Sequence, residues 1–290
     1  MAFIEHSDAF DLAATLESGQ AFRWRREDAQ NDGTTWFAGV IFSNIVRIRQ
    51  VTEGLEWDAS PDSETSMAPI LRDYLGLDDD FPAIISALEI DDILSGVFAE
   101  YTGIRILRQE PWECLVTFIC SANNNIPRIT KNVEDMAAAF GSTIHGTTTK
   151  ENAFPTPAQL ADAGEASLRK LGLGFRAKYV AAAARRVADG EFDLYSLREA
   201  GYQDALDTLV EFAGVGDKVA NCVLLFSMDK SEAFPVDVWI DRALREWYFS
   251  DSEEKVSRNK MRAWAQARFG QHAGYANQYL FHGRRLRDRK

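Results

Sequence analysis

The sequence is poor in the residues that build metal sites and disulfide frameworks. Its 290 residues include three cysteines, Cys114, Cys120 and Cys222, and four histidines. The cysteines form no CxxC pair, and the histidines show no HxxxH or HxE spacing. Zinc and iron–sulfur sites need such clustered ligands, so we expect no metal site and no disulfide framework. Cys114 and Cys120 lie in an apolar, helical-looking segment and are predicted to be core residues.

Long apolar runs are also missing. No stretch approaches the roughly 20 apolar residues that a membrane-spanning helix needs. The first twenty residues carry acidic side chains where a secretory signal would carry basic ones. We therefore expect an intracellular protein with no membrane partner.

Positive charge is scarce overall but unevenly placed. The net charge is −12, yet residues 1–100 hold 20 acidic and 6 basic side chains, whereas the remaining residues hold 24 acidic and 26 basic ones. The last ten residues carry five basic groups against one acidic group. Because salt confines each charge to a range of about 10 Å, the local sign matters more than the total. A solvated helix end is the simpler interpretation of the basic tail.

The spacing of apolar residues changes once along the chain. Residues from about 20 to 57 are rich in β-branched and aromatic side chains and predict strands, with a turn at residues 31–33. From about residue 67 the period is helical. We expect an α+β fold in which an N-terminal antiparallel β domain with a following helical segment, residues 1–105, precedes a mostly helical region, residues 106–290.

Residues 205–229 predict two helices joined by Gly214-Val215-Gly216. The glycines permit positive φ angles and the close approach of another backbone. The free N–H groups at the start of the second helix can hold a phosphate, and they read no base. An ordinary helix–helix turn explains the glycines equally well.

Two ionisable residues are notable, one within this hairpin and one after it. Lys218 lies near the first turn of the second helix, where the positive helix end and partial burial both disfavour an ammonium, and nucleophilic attack requires a neutral amine. The alternative is a solvated surface lysine. Asp237 precedes the next helical segment and is an obvious N-cap, a role compatible with electrostatic and proton-transfer work beside a lysine.

These segments resemble a known family. GVGDKVANC followed by FPVDVWIDRAL is similar to the helix-hairpin-helix-Gly-Pro-Asp family of DNA glycosylases. Further segments resemble the eukaryotic-type 8-oxoguanine DNA glycosylases, in order through nearly the whole chain: SGQAFRWRR (18–26), FICSANNNIPRITKNVE (118–134), LGLGFRAKYV (171–180) and AGYANQYLF (273–281). The resemblance implies an antiparallel β domain and two helical domains, with the hairpin at the edge of a cleft.

The resemblance also implies a reaction. Lys218 matches the catalytic lysine, which attacks C1′ of the damaged nucleotide, expels the base and leaves a Schiff base that undergoes β-elimination. Asp237 matches the aspartate that stabilises positive charge on the sugar. The base first leaves the stack and enters a pocket. Cys222 and Phe281 match the residues that sandwich it, and Gly19 matches the glycine whose carbonyl accepts the N7–H of 8-oxoguanine.

A second group of residues matches the family's contacts with the cytosine left opposite the lesion. Asn123, Arg128 and Arg176 hold these positions, and their donors and acceptors suit the cytosine edge. Without the family, residues 123–125 predict a helix-terminating loop. Phe175 takes the place of the tyrosine that wedges into the duplex.

Three more departures from the family occur. Asn277 stands where the family has a glutamine that reads the Watson–Crick edge of the base. Trp239 replaces a histidine that helps to hold a phosphate, and Ala213 replaces a proline before the hairpin glycines. These departures affect lesion choice and opposite-base preference more than the lysine chemistry.

The expected partner is double-stranded DNA containing 8-oxoguanine, bound by a monomer. No cofactor is expected, apart from a structural monovalent cation that the hairpin can accept. The site of action is expected to be the cytoplasm or nucleoid of a bacterium, or the nucleus of a eukaryote. One alternative function is a monofunctional alkylpurine glycosylase, which lacks the lysine and uses water. Another is a non-catalytic hairpin module that binds DNA, and an endonuclease III-type enzyme would need four C-terminal cysteines.

Overall fold

The structure is a computed structural model that describes residues 1–27, 34–146, 150–250 and 256–287. The predicted turn at residues 31–33 and the last three residues of the basic tail lie outside these ranges. Within the described ranges, no helix combines the length and the apolar character that crossing a membrane requires. The same ranges contain no group of three or more His, Cys, Asp or Glu side chains placed to hold a metal ion.

The N-terminal part is a five-stranded antiparallel sheet, which confirms the predicted β domain. Its spatial order is β1-β5-β4-β3-β2. The strands are β1 Ala2–Glu5, β2 Trp24–Arg26, β3 Trp36–Ile41, β4 Asn44–Val51 and β5 Gly54–Ser60. In β4, buried and partly exposed residues alternate, as expected for a strand with one face on the core. The first strand was not predicted, because four residues carry too little alternation to stand out.

One face of this sheet is covered by α1 (Leu12–Glu17) and α2 (Glu64–Tyr74). The side chains from the two layers form a continuous apolar core. Its members that are at most 1% exposed are Leu12, Val46, Ile48, Leu55, Trp57, Met67, Leu71, Leu75 and Leu107. The burial of this apolar surface fixes the sheet against its two helices.

The remainder is mostly helical, as predicted. The helices are α3 Phe81–Leu88, α4 Asp92–Glu100, α5 Pro111–Cys120, α6 Ile126–Phe140, α7 Pro157–Lys170, α8 Arg176–Ala188, α9 Tyr202–Leu209, α10 Asp217–Ser227, α11 Val238–Trp247, α12 Arg258–Phe269 and α13 Ala273–Arg287. A small hairpin, β6 Thr143–His145 with β7 Lys150–Asn152, was not predicted. It contacts the main sheet through Ile144 and Val40.

Helix boundaries follow local sequence signals. Pro127 lies in the first turn of α6, and Gly141 follows its last residue. Thr156 caps α7, with its side chain accepting the N–H of Gln159 while that glutamine side chain accepts the N–H of Thr156. Gly190, with φ of 71°, ends the segment that contains α8. All of these boundaries agree with the sequence-based expectations.

Helices α5 and α10 pack against each other at the centre of the helical core. Cys114 and Cys120 of α5 are fully buried, which confirms the prediction that they are core residues. In α10 every residue from Val219 to Ser227 is buried, and only its first turn is partly exposed. The proposed boundary between residues 105 and 106 stays a prediction.

Candidate active site

A cavity of about 470 Å³ opens where the hairpin, the α5–α6 connection, the start of α11 and one face of α13 converge. It is large enough for a ligand of moderate size. Six residues predicted as catalytic or base-pocket residues line it: Gly19, Lys218, Cys222, Asp237, Asn277 and Phe281. Residues that are more than 250 positions apart in the chain therefore share one wall.

Lys218 is the second residue of α10. Its Nζ donates a hydrogen bond to Ser121 Oγ at 2.9 Å and lies 5.2 Å from the centre of the Phe118 ring. Gly216, the N-cap of α10, has no side chain to cap the helix. The amine thus lies at the positive end of a helix, beside a hydroxyl and an aromatic face, in the cavity wall.

Asp237 is the N-cap of α11, as predicted. Its Oδ1 accepts hydrogen bonds from the backbone N–H groups of Trp239, at 2.9 Å, and Ile240, at 2.8 Å. Burial raises the pKa of this carboxyl above its ordinary value, although the Ile240 N–H and the Lys218 charge oppose the rise. Both cap bonds use Oδ1, so the cap leaves Oδ2 unused.

Cys222 and Phe281 contribute the apolar part of the cavity. Cys222 lies one turn after Lys218 on α10, and burial raises the pKa of its thiol to about 11, with the Lys218 charge acting in the opposite direction. The thiol is therefore neutral at physiological pH. The Phe281 ring lies 5.7 Å from the guanidinium of Arg285, one turn further along α13.

Gly19 adopts a backbone conformation that other residues avoid, with φ of 84°. A β-carbon there would lie 3.1 Å from both Arg285 Nη1 and Ile126 Cδ1, and 3.5 Å from Phe281 Cε1. The next residue, Gln20, is fully buried and bonds the carbonyl of Arg105 at 2.8 Å. These contacts hold the Gly19 backbone at the cavity without room for a side chain.

Asn277 is 3% exposed and lies on α13. Its Nδ2 donates to the carbonyl of Pro235 at 3.0 Å. Pro235 also lines the cavity, just before Asp237. The backbone carbonyl therefore orients the amide and uses one of the two Nδ2 hydrogens.

The residues predicted to contact the opposite base lie together beside the cavity. Arg176 is 3% exposed, and its guanidinium donates to the carbonyls of Ala122, at 2.8 Å, and Asn123, at 2.6 Å. It also lies 4.6 Å from the centre of the Phe175 ring, which is 46% exposed. Arg176 thus joins the α5–α6 turn to the α7–α8 turn, and its contact with a base stays a prediction.

The asparagine run has a structural role as well. Asn125 caps α6 by accepting the N–H of Arg128 at 3.0 Å, and Asn124 donates to the carbonyl of Cys120 at 2.9 Å. The alternative interpretation, a helix-terminating loop, therefore fits Asn124 at the end of α5, whereas Asn125 begins α6. Asn123 has φ of 51° and an exposed side chain. Arg128 is exposed and donates to the carbonyl of Gly172 at 3.2 Å.

The predicted hairpin is formed by α9, the Gly214-Val215-Gly216 turn and α10. Gly214 has φ of 87°, and a β-carbon there would lie 2.4 Å from the Tyr179 ring. Gly216 has φ of −99°, so of the two glycines Gly214 alone uses the positive φ that glycine permits. The close neighbour of Gly214 is a side chain of α8 and not a backbone. The predicted cation at the hairpin stays a prediction.

Sequence reasoning missed several residues of the cavity wall. Ser121 and Phe118, which contact Lys218, lie in the segment 118–134, where the sequence predicts Asn123 and Arg128 as site residues. Arg285 belongs to the tail that was interpreted as solvated, yet it is 7% exposed and donates to the carbonyl of Glu17 at 2.7 Å. Its spacing of four residues from Phe281 was the available signal. Trp239, one of the departures from the family pattern, lines the cavity 5.5 Å from the Arg242 guanidinium.

The cavity thus brings together a lysine from the hairpin and the aspartate that caps α11. The family model described as "HhH-GPD superfamily base excision DNA repair protein" matches residues 116–266, more than half of the chain. The model described as "8-oxoguanine DNA glycosylase, N-terminal domain" matches residues 2–115. The chain therefore belongs to the HhH-GPD superfamily.

The chain is also similar to individual proteins. The chain is 33% identical over 310 residues to the N-glycosylase/DNA lyase of Saccharomyces cerevisiae, covering 93% of this chain and 82% of the yeast protein. It is 33% identical over 286 residues to the N-glycosylase/DNA lyase OGG1 of Arabidopsis thaliana, covering 93% and 76%. The structure resembles the 8-oxoguanine glycosylase/lyase of Clostridium acetobutylicum in complex with DNA containing cytosine opposite 8-oxoG, with a TM-score of 0.88, 32% identity and 99% of each chain covered.

Proposed function

We propose that this protein is a bifunctional DNA glycosylase and AP lyase that removes 8-oxoguanine from duplex DNA. One observation supports this function above the others: the amine of Lys218 and the carboxyl of Asp237 line the same cavity, together with a thiol and an aromatic ring. The yeast, plant and clostridial relatives carry the same combination of activities in their names.

The damaged nucleotide must first leave the duplex, because its C1′ is not open to in-line attack within the stack. Extrusion costs a few kcal/mol, which contacts in the cavity offset. The extruded base lies between the neutral Cys222 thiol and the Phe281 ring. Both surfaces are polarisable and suit the flat face of a purine.

The chemistry begins when the amine nitrogen of Lys218 attacks C1′. The C1′–N9 bond breaks, and the base leaves with its bonding electron pair and takes up a proton. The C1′–O4′ bond then breaks as O4′ takes up a proton, which opens the sugar ring and leaves a protonated imine between Lys218 and C1′. Loss of a proton from C2′ and departure of the 3′ phosphate complete the β-elimination, and water hydrolyses the imine to restore the lysine.

Asp237 assists this sequence electrostatically. Its carboxylate stabilises the positive charge that develops on the sugar as the base departs. The Trp239 and Ile240 N–H groups fix its orientation, so little reorganisation is needed during the reaction. Because its raised pKa brings it closer to working pH, the carboxyl is also suited to proton transfer.

Lesion choice depends on one hydrogen bond. The carbonyl of Gly19 accepts the N7–H that 8-oxoguanine carries and guanine lacks. Guanine in the same pocket would leave the carbonyl facing an acceptor, a penalty of about 1–3 kcal/mol. Cytosine is the expected opposite base, contacted by Asn123, Arg128 and Arg176, while Phe175 fills the space left in the duplex.

A monofunctional glycosylase activates water and leaves the strand intact, and a hairpin module that only binds DNA does neither reaction. The placement of Lys218 in the cavity favours neither of these two alternatives. Because only a bifunctional enzyme cuts the strand, a nicked product distinguishes the proposed function from both of them.

The test compares Lys218→Gln with the wild type on a duplex containing 8-oxoguanine opposite cytosine. The variant should bind the duplex and release no base and no nicked strand. Lys131→Gln is the control, because Lys131 is a 73% exposed lysine paired with Asp135 on α6. Normal turnover by the Lys218 variant would refute the assignment.

The DNA is expected to be bound by a monomer, which sedimentation at increasing protein concentration tests. The reaction takes place where the DNA is, in the cytoplasm or nucleoid of a bacterium or the nucleus of a eukaryote. A change of sedimentation coefficient with concentration would contradict the monomeric state.

A further inference from the structure

Ser121 is a residue of the cavity wall to which the reaction proposed above gives no part. It follows the last residue of α5 and is the C-cap of that helix. Its Oγ accepts a hydrogen bond from Lys218 Nζ at 2.9 Å, across a separation of 97 positions in the chain. The contact therefore depends on the packing of α5 against α10, which brings the end of one helix to the start of the other.

The direction of the hydrogen bonds at Ser121 is set by a second contact. The hydroxyl donates its one proton to the carbonyl of Phe118 at 2.7 Å. A serine hydroxyl has one donor and two acceptor lone pairs, so its oxygen faces the amine as an acceptor. Consecutive hydrogen bonds of this kind polarise and strengthen one another. One turn of α5 thus presents to the amine a hydroxyl acceptor and the ring of Phe118, whose centre lies 5.2 Å from Nζ.

Such a contact restricts a side chain that is otherwise free to move. The amine of a lysine sits on a flexible four-carbon stem, whereas attack on C1′ requires one defined position of the nitrogen. A misplacement of about 1 Å can cost on the order of 100-fold in rate. A hydroxyl acceptor fixes the nitrogen and carries no charge, whereas a carboxylate at the same place would favour the charged form of an amine.

Resting on the function proposed above, we propose that Ser121 is a positioning residue for the nucleophile. Its Oγ holds one hydrogen of the Lys218 amine and so directs the nitrogen toward C1′. Ser121 acts through Lys218 and not on the base. Its effect therefore extends to a preformed abasic site, where the same nitrogen adds to the C1′ aldehyde and water leaves as the imine forms.

The test compares Ser121→Ala and Ser121→Thr with the wild type in single-turnover reactions. One duplex carries 8-oxoguanine opposite cytosine, and the other carries a preformed abasic site. In Ser121→Ala the rate of formation of the borohydride-trapped adduct should fall by about 10- to 100-fold on both duplexes. The dissociation constants should change by less than about twofold, because the hydroxyl does not contact DNA. Ser121→Thr keeps the hydroxyl and should restore the rate.

Ser196→Ala is the matched control. The Ser196 hydroxyl also donates to the carbonyl three residues earlier, that of Asp193, at 2.8 Å, and Ser196 is exposed and does not line the cavity. Both alanine variants lose the same kind of local hydrogen bond, so both should show a small decrease in melting temperature. The rate of adduct formation by Ser196→Ala should equal that of the wild type, since its hydroxyl does not contact the amine.

The outcomes separate this proposal from the proposed function. The positioning role would be overturned by unchanged adduct formation in Ser121→Ala, by a loss that Ser121→Thr does not restore, or by an equal loss in Ser196→Ala. A loss confined to the 8-oxoguanine duplex would also overturn it, because Ser121 would then act on the base. All of these results leave the glycosylase function intact. A wild-type protein that forms no adduct and releases no 8-oxoguanine would overturn both.

Discussion

Single residues set the shape of the cavity. At Gly19 the absence of a β-carbon leaves room beside Arg285, Ile126 and Phe281. At Cys222 the raised pKa of the thiol leaves the sulfur in the cavity wall uncharged. Each of these properties belongs to one side chain, or to its absence, and can be tested by a single substitution.

Gly19→Ala tests the glycine directly. The new methyl group would meet Arg285 Nη1 and Ile126 Cδ1 at 3.1 Å in a backbone conformation with φ of 84°. We expect excision of 8-oxoguanine to fall by roughly tenfold or more, while affinity for undamaged duplex changes by less than about twofold. Gly190→Ala is the control, because it has φ of 71° and no atom within 4 Å of the added carbon. Equal losses of excision and affinity would remove Gly19 from the recognition site.

Asp237→Asn tests the buried carboxyl. Burial raises the folded-state pKa above the ordinary value of 3.8, so ionisation of Asp237 costs stability at neutral pH and costs nothing once both states are protonated. Asparagine keeps an acceptor for the cap and carries no charge. The variant should therefore have a higher free energy of unfolding than the wild type at pH 7, and this difference should vanish below pH 3.8.

The rate of base release by the same variant should fall on the order of 100-fold, because no carboxylate then faces the positive charge that develops on the sugar. Urea unfolding at both pH values and a base-release assay provide the measurements. A destabilised variant at neutral pH, or full activity, would contradict the account of this residue.

At the scale of elements, the hairpin is positioned by its contact with α8. Gly214 packs against the Tyr179 ring, which in turn contacts the Phe175 ring edge-on at 6.3 Å between centroids. Phe175 and Gly214 therefore both contact the side chain of Tyr179. This arrangement links the residue proposed to enter the duplex with the turn proposed to bind a phosphate.

Gly214→Ala should move the turn, because the added carbon would lie 2.4 Å from an atom of Tyr179 close to its own backbone. We expect a loss of about 1–3 kcal/mol of unfolding free energy and weaker binding to any duplex. Gly270→Ala, with φ of 57° and no neighbour within 4 Å of the added carbon, should lose stability without losing affinity. Calorimetry and fluorescence anisotropy measure the two effects, and unchanged DNA affinity in Gly214→Ala would contradict the proposed role of the hairpin.

Local signals in the sequence were sufficient to predict most helices and strands. Pro127, Thr156 and Gly190 mark helix ends through their own backbone preferences, and the structure places them there. The strand β1 and the β6–β7 hairpin were missed because three or four residues show no clear period. Their stability comes from partners distant in sequence, such as the pairing of Ala2 with Trp57.

The candidate site was predictable in part. The spacing of Gly214, Lys218 and Asp237 is contained in two nearby segments and was recognised from the sequence. The hydrogen bond from Lys218 to Ser121 spans 97 positions, and the packing of Arg285 against the Gly19 loop spans more. Such contacts depend on how the helices pack, and no local pattern encodes them.

At the scale of the whole molecule, the charge distribution explains how a protein with a net charge of −12 binds DNA. Residues 1–100 carry most of the excess negative charge, and those of them that the structure describes contribute only Gly19 and Phe22 to the cavity wall. The rest of the chain, which is slightly basic, supplies the remainder of that wall, including Arg242 and Arg285. The acidic sheet domain and the DNA-facing surface are thus largely separate.

Salt should weaken the binding of duplex DNA, because the protein is expected to neutralise phosphates with basic side chains. Neutralised phosphates release counterions, so affinity for duplex DNA should fall by roughly tenfold or more between about 50 and about 200 mM salt. The measurement is a titration followed by anisotropy at several salt concentrations. An affinity independent of salt would contradict the assignment of this surface to DNA.

The central claim is that the amine of Lys218 forms a covalent imine with the sugar of an extruded nucleotide. Borohydride reduction during turnover of a duplex with 8-oxoguanine opposite cytosine tests it most directly. The wild type should yield a stable protein–DNA adduct, and Lys218→Gln should yield none. A wild-type protein that never becomes linked to the oligonucleotide, or an adduct that persists in Lys218→Gln, would contradict the claim.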